Sequence, residues 1–312
     1  MRVIAVEEHY ANADLGGRRG LAAEVAAKLT DLGEGRIAEM DAAGIDVQVL
    51  SLLAPGAQAF GAADAAARAR EDNDRLAGAV SRHPDRLAAF ASLPTADPRA
   101  AAVELERTVN GHGFKGGIVH GQTEGRFLDD RRFWPILEAA EQLRVPIYLH
   151  PAPPPATVIE TYYAGFAPAV SSNLSTGAWG WHIETGLHVL RLVLAGAFDR
   201  FPRLQIVVGH LGEALPFMLA RTGNRLSPAV TGLPRTVQEY LRDHVHLSLG
   251  GFFSVSPFLN AMLEFGADRI LFSVDHPLSS NQEGRAFLDA VPISPADREK
   301  IAHRNAERLL RL

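Results

Sequence analysis

A chain of 312 residues with 47% hydrophobic and 21% charged side chains and a formal net charge of −5 has the make-up of a globular enzyme, which excludes a disordered chain or a coiled coil. The negative balance, with no basic cluster, excludes a nucleic-acid partner, and the absence of cysteine excludes disulfides and thiolate metal sites. Any metal must therefore be held by nitrogen and oxygen.

The chain opens on Val3-Ile4-Ala5-Val6, an apolar β-branched run that reads as a buried strand, and this strand ends in Glu7-Glu8-His9. Residues two apart share a side of a strand, so Glu7 and His9 project together while Glu8 points away. The pair is either half of a metal site or a strand ending in a polar loop. A strand this close to Met1 leaves no room for a signal peptide, so a cytoplasmic location is expected. The longest apolar stretch, 187–198, is interrupted by His188 and Arg191, so no membrane span is expected.

A Gly-rich loop from Asn12 to Gly20 leads into helical text from Leu21 through Ala43, closed by Gly44 as a C-cap. Asp46 to Leu52 reads as a second strand, Ala62 to Arg82 as a helix, and Leu87 to Leu93 as a third strand. Helix 98–111, strand Lys115 to His120, helix 133–143 and strand Val145 to His150 continue the alternation. The segment from Pro151 to Trp181 breaks it with five prolines among aromatic and small residues, and is predicted to be a functional loop or lid. Its Tyr162, Tyr163, Phe166, Trp179 and Trp181 suit either the wall of an aromatic pocket or a contact with a second subunit. Helix 184–198, strand Leu204 to His210, a helix through Leu226, strand Val245 to Leu249, helix 258–265, strand Arg269 to Asp275 and a final helix, 295–310, complete the chain.

Eight mostly apolar strands alternating with helices predict a parallel sheet buried on both faces. The expected fold is a single-domain α/β protein, a (β/α)8 TIM barrel with a long loop insertion after strand five. The competing architecture, a doubly wound open sheet, lacks its Gly-x-Gly-x-x-Gly turn here.

Chemistry in such barrels gathers at the C-terminal ends of the strands. Five of the twelve histidines, His9, His120, His150, His210 and His276, fall at such ends. Glu7, His9, His150 and Asp275 together offer two imidazoles and two carboxylates, a set suited to one divalent ion, Zn2+ or Mn2+ with Mg2+ as a further option. After strand six, Glu213 is expected one helical turn beyond His210, where it would fix the tautomer of that imidazole, and Arg221 near the same face. His276 and His120 have the position for substrate contact. His83, His112, His244 and His303 are expected to be solvated, and His182, His188 and His246 to serve packing.

With these residues in place the chain resembles the metal-dependent amidohydrolase superfamily, and within it the non-oxidative decarboxylases of hydroxybenzoates such as γ-resorcylate and 2,3-dihydroxybenzoate. The resemblance spans nearly the whole chain. It rests on Ala5-Val6-Glu7-Glu8-His9, Pro146-Ile147-Tyr148-Leu149-His150, Phe198-Asp199-Arg200-Phe201-Pro202, Gly209-His210-Leu211-Gly212-Glu213 and the run from Gly266 to Asp275. Many amidohydrolases open with His-x-His, whereas Glu-x-His looks like the benzoate decarboxylase branch. One departure falls in the pocket region: relatives usually place an aromatic residue after the final Asp, where this chain reads His276-Pro277-Leu278-Ser279.

The resemblance implies that Glu7, His9, His150 and Asp275 hold the metal and that His210 and Glu213 form a catalytic pair. It implies a small ortho-hydroxybenzoate as substrate, protonated by Asp275 on the carbon that bears the carboxylate, with Arg221 supporting the pair. A homodimer or homotetramer is expected. The competing activity is metal-assisted hydrolysis of a lactone or amide, in which Asp275 serves as base; a barrel that binds metal without catalysis is the remaining alternative.

Overall fold

The computed structural model describes residues 1–12 and 21–312, so residues 13–20 of the expected Gly-rich loop lie outside the described residues. The strands are β1 (Ile4–Tyr10), β2 (Val47–Leu52), β3 (Leu87–Ala89), β4 (Ala91–Ser92), β5 (Gly117–His120), β6 (Ile147–His150), β7 (Ile206–Val208), β8 (Val245–Ser248) and β9 (Ile270–Leu271). All pair in parallel, as β1-β2-β3 and β4 through β9 in chain order. β3 and β4 are one stave interrupted at Phe90, whose N–H still bonds the Leu50 carbonyl at 2.9 Å, so the staves number eight. Val6 N–H donates to the Phe272 carbonyl at 3.1 Å and closes the ring.

The continuous apolar strands are explained by two cores. Ile4, Val6, Val49, Phe90, Ile118, Tyr148, Val207 and Leu271 fill the barrel, and Ala306 and Leu310 of the final helix close its lower end. Ala5, Leu50, Val119, Leu149 and Val208 pack outward against the helices. Each strand therefore buries both faces, as a parallel barrel requires.

Several boundaries differ from the sequence expectation for local reasons. The helical text of 21–43 splits into Ala23–Thr30 and Glu34–Ala43, because Asp31 Oδ1 accepts the Gly33 N–H at 2.8 Å and turns the chain. Two further helices, Val237–His244 and Asn281–Ala290, are capped by Thr236 and Ser280, each with a glutamate three residues on. The segment after β6 is not a plain loop: it carries the short helices Ala156–Val158 and Pro168–Ser175 before the long helix Gly180–Leu194. Among the described residues no helix is long and apolar enough to cross a membrane.

Candidate metal centre and catalytic pair

The end of β1 is not a regular strand. Its register against β2 shifts between Ala5 and Glu8, a bulge of the kind that re-aims side chains beside active sites. Glu7 turns into the barrel mouth, where its Oε1 lies 3.8 Å from His150 Nε2 and 3.9 Å from His210 Nδ1. His9 Nε2 lies 3.1 Å from Asp275 Oδ1. The donor atoms of Glu7, His9 and His150 all fall within 4.8 Å of one another.

Room for Glu7 is made by glycine. A Cβ on Gly209 would stand 2.5 Å from Glu7 Oε1, and one on Gly250 would crowd Oε2. Oε2 is fixed by the Ser248 hydroxyl at 2.5 Å, and Ser248 in turn takes the Tyr148 hydroxyl proton at 2.7 Å. Tyr148 falls within the Pro146–His150 motif but was given no role from the sequence, and Ser248 was not marked at all, since each is an inward residue of an ordinary strand.

The donor set fits a divalent cation. Glu7 Oε1, His9 Nε2 and Asp275 Oδ1 are buried and make no hydrogen bond, a costly state unless a cation meets them. His150 donates from Nδ1 to the Pro151 carbonyl at 2.8 Å, which leaves the Nε2 lone pair facing Glu7. Burial and the neighbouring His9, His120 and His210 hold His150 neutral, the form a ligand needs. Burial drives the Glu7 carboxyl up, against the pull of His210, and a divalent ion would keep it ionised.

Glu8 has a different task. Its two oxygens accept the backbone N–H groups of Val274 and His276 at 2.8 and 3.0 Å, locking the turn that presents Asp275. Asp275 itself has φ 68°. Buried Arg36 bonds the His9 carbonyl at 2.7 Å and the Gln48 side chain at 2.9 Å, holding the end of β1 from outside.

Between β7 and the helix Leu215–Arg225 the backbone leaves regular structure. His210, Leu211, Glu213 and Ala214 all adopt positive φ, from 50° to 65°, strain that persists where the surroundings impose it. His210 and Glu213 meet, Nδ1 to Oε1 at 2.6 Å, through this tight turn rather than along a helix face. Burial opposes a charge on His210, but Glu213 and Glu7 outweigh it and push the imidazole up to about 10. The other Glu213 oxygen lies 2.5 Å from His182 Nδ1, on the helix Gly180–Leu194. Sequence reasoning assigned His182 to packing; 31 positions separate it from Glu213, and no motif links them. Phe252 stands 5.3 Å from the His210 ring and 5.4 Å from that of His182. These side chains and Trp179 border a cavity of about 290 Å³.

The remaining expected residues part company. His120 pairs in register with His150, and their rings lie 5.3 Å apart at the barrel mouth. His276 turns outward instead: its Nε2 lies 3.5 Å from Glu39, and burial beside Arg36 and Lys28 pushes it down to about 3. Arg221 is exposed and forms no bond to His210 or Glu213, because the left-handed turn ends the helical phase on which its placement relied. His244, expected in solvent, is buried against Phe198 at 4.5 Å with Nδ1 donating to the Leu204 carbonyl.

The amidohydrolase family model matches residues 22–312. The gamma-resorcylate decarboxylase of Rhizobium radiobacter is 38% identical over 327 residues, covering 99% of this chain and 98% of its own. The structure of 2,6-dihydroxybenzoate decarboxylase complexed with 2,6-dihydroxybenzoate superimposes with a TM-score of 0.89 at 36% identity, covering 100% of this chain and 99% of that one. The dihydroxybenzoic acid decarboxylase of Polaromonas sp. JS666, with bound manganese and the inhibitor 2-nitroresorcinol, superimposes with a TM-score of 0.92 at 34% identity over 100% and 97% of the two chains. On its sequence and its barrel alike, this chain belongs to the amidohydrolase family.

Proposed function

We propose that the chain is a metal-dependent, non-oxidative decarboxylase of an ortho-hydroxybenzoate, a carboxy-lyase that releases carbon dioxide. The observation that carries the reading is the convergence of Glu7, His9 and Asp275 as buried, unsatisfied ligand atoms beside His150 and the His210–Glu213 pair. The relatives named above, acting on dihydroxybenzoates and one of them holding manganese, support both substrate class and ion.

Chelation of the substrate carboxylate and the neighbouring phenol oxygen, with stabilisation of charge on both, is the chemistry a divalent ion would supply when held by Glu7, His9, His150 and Asp275. Asp275 delivers a proton to the ring carbon that bears the carboxylate, and that carbon becomes tetrahedral. The bond to the carboxylate then breaks, its electron pair restores the aromatic ring, and carbon dioxide departs. One proton is consumed for each carbon dioxide released, and solvent returns it to Asp275. His210, with its Nδ1 proton committed to Glu213, presents Nε2–H to a substrate oxygen. His120, beside His150, is placed to meet a ring substituent.

Manganese or zinc suits the two nitrogen and two oxygen donors. A cytoplasmic homodimer or homotetramer completes the reading; the apolar side chains of Phe217 and Leu263, 80% and 84% exposed, support assembly. Light scattering on the purified protein tests it.

The deciding assay measures carbon dioxide from 2,6-dihydroxybenzoate and related ortho-hydroxybenzoates beside ring-opening of aromatic lactones, with manganese-loaded protein. Release of carbon dioxide without lactone opening is expected. Lactone turnover with no carbon dioxide from any hydroxybenzoate would overturn the proposal in favour of hydrolysis.

A further inference from the structure

At the lower end of the barrel, opposite the metal residues, lies a cavity of about 480 Å³. Its position follows from β8. Ser248 reaches Glu7 at the catalytic end, and His246, two residues earlier, points to the same side one layer lower. The walls are the beginnings of β6 to β9 and the final helix.

The lining is strongly basic. Arg144, Arg203, Arg269, Arg308 and Arg311 border the cavity with a single carboxylate, Asp268, which is already paired with Lys300 at 3.1 Å. None of the five guanidinium groups has a carboxylate partner among the described residues. Arg269 donates to Gln205 Oε1 and to His246 Nε2, each at 3.0 Å. Arg308 donates to the Asp268 carbonyl at 2.9 Å and to Asn305 Oδ1 at 3.0 Å, and Arg311 to the Arg144 carbonyl at 2.5 Å. The side chains of Arg144 and Arg203 make no hydrogen bond or ion pair among the described residues. Arg144, Arg203, Arg308 and Arg311 are exposed at the rim and Arg269 is half-buried, and this gathering of positive charge around a concavity favours an anion there.

His246 sets the position of Arg269 at the cavity wall. The residue is 4% exposed, and its ring lines the cavity. A guanidinium can only donate, so His246 Nε2 accepts from Arg269 and the ring proton sits on Nδ1. Gln205 Oε1, 3.2 Å from the same nitrogen, is itself engaged by Arg269. Nδ1 is buried and has no hydrogen-bond partner. That nitrogen is shut off from solvent, so His246 acts at the cavity wall through Nε2, which holds the Arg269 guanidinium in place.

We propose that this cavity is a second ligand site, taking a small phosphate, inorganic or a phosphomonoester, between the final helix and the strand beginnings. The bound anion would sit between Arg308 and Arg311 on the helix side and Arg144, Arg203 and Arg269 at the strand beginnings, and so stabilise the closure of the lower end. The catalytic residues stand at the other ends of the same strands and are not part of the site.

The test uses the full, metal-loaded chain. Melting temperature is followed against inorganic phosphate, against citrate, and against chloride, all at constant ionic strength, for the wild type and for the double variant Arg144→Glu, Arg203→Glu. Those two arginines lack intramolecular side-chain partners, so the variant is expected to fold and to release carbon dioxide as the wild type does. A saturable rise of a few degrees with phosphate, shifted at least fivefold to higher concentration in the variant, is the expected result. A phosphate response equal in both proteins, as binding at the metal would give, overturns the site. So does an equal response to chloride, and a response to citrate alone overturns the phosphate assignment.

Discussion

His182 Nδ1 stands 2.5 Å from Glu213 Oε2, while the other oxygen of Glu213 meets His210 Nδ1 at 2.6 Å, so one buried carboxylate is held between two imidazoles. His182 is itself anchored by the Trp181 indole N–H at 3.1 Å and lies 3.0 Å from the Gly177 carbonyl. The contact fixes the rotamer of Glu213, and through it the direction in which His210 Nε2 points. His182→Ala is expected to lower kcat by about tenfold, ~1.4 kcal/mol of barrier, with a smaller change in KM. His182→Asn, whose amide can replace the Nδ1 donor, should recover most of the loss. Equal kcat in His182→Ala and wild type would remove this residue from the arrangement.

Adjacent glutamates on β1 give a paired experiment. Glu7→Gln should fold but fail to retain a stoichiometric metal, read by elemental analysis after gel filtration. Glu8→Ala should leave the Val274 and His276 N–H groups buried without acceptors, at about 1–3 kcal/mol each. Its urea midpoint is expected to fall accordingly. Metal loss without destabilisation in Glu8→Ala would reverse the two roles.

The barrel was legible because β1 to β9 are apolar on both faces and because histidines and carboxylates repeat at their ends. The candidate ligands could be picked out for the same reason: Glu7, His150 and Asp275 directly follow apolar runs, and His9 stands two residues beyond Glu7. What spacing could not convey was the backbone at His210 to Ala214. A helix was the default continuation after Gly209, and the left-handed turn that replaces it keeps the His210–Glu213 contact but leaves Arg221 outside. His276 was misplaced similarly, since the positive φ of Asp275 sends consecutive side chains apart. His182 and Ser248 reach the site only through tertiary packing, which a single sequence does not encode as a motif, and the same packing gives Tyr148 a role its motif did not announce.

Asp275→Asn keeps the shape of the residue and removes the proton that the proposed mechanism has it deliver. General acid catalysis of this kind contributes about 10²–10⁴-fold, and loss of at least that much carbon dioxide release is expected. Retention of turnover in this variant would exclude Asp275 as proton donor and as hydrolytic base alike.

Chelation should abolish activity, and Mn2+ should restore it. The apo protein is also expected to melt earlier, because a ligand at a thousand times its Kd contributes about 4 kcal/mol. Unpaired Glu7 then lies in a buried setting that favours its protonated form. Differential scanning calorimetry before and after chelation measures the difference; an unchanged melting temperature with full activity would show that no ion is required.

Acid sensitivity is expected to come in part from His188. It is buried on the helix Gly180–Leu194, accepts the Leu128 N–H on Nε2 at 2.9 Å, and is pushed down to about 3 by burial and by Arg191. In the unfolded chain the same group titrates near 6.5. Below that value the unfolded state binds a proton that the folded state refuses, so stability falls as pH drops from about 6.5 toward 3. The slope is about 1.4 kcal/mol per pH unit for this one group, or ~2 kcal/mol lost by pH 5. His188→Gln retains an acceptor for the Leu128 N–H and does not titrate. Urea unfolding at pH 7, 6 and 5 should show the variant losing about 2 kcal/mol less than the wild type across that range, and parallel losses in the two proteins would rule His188 out as a source of the acid sensitivity.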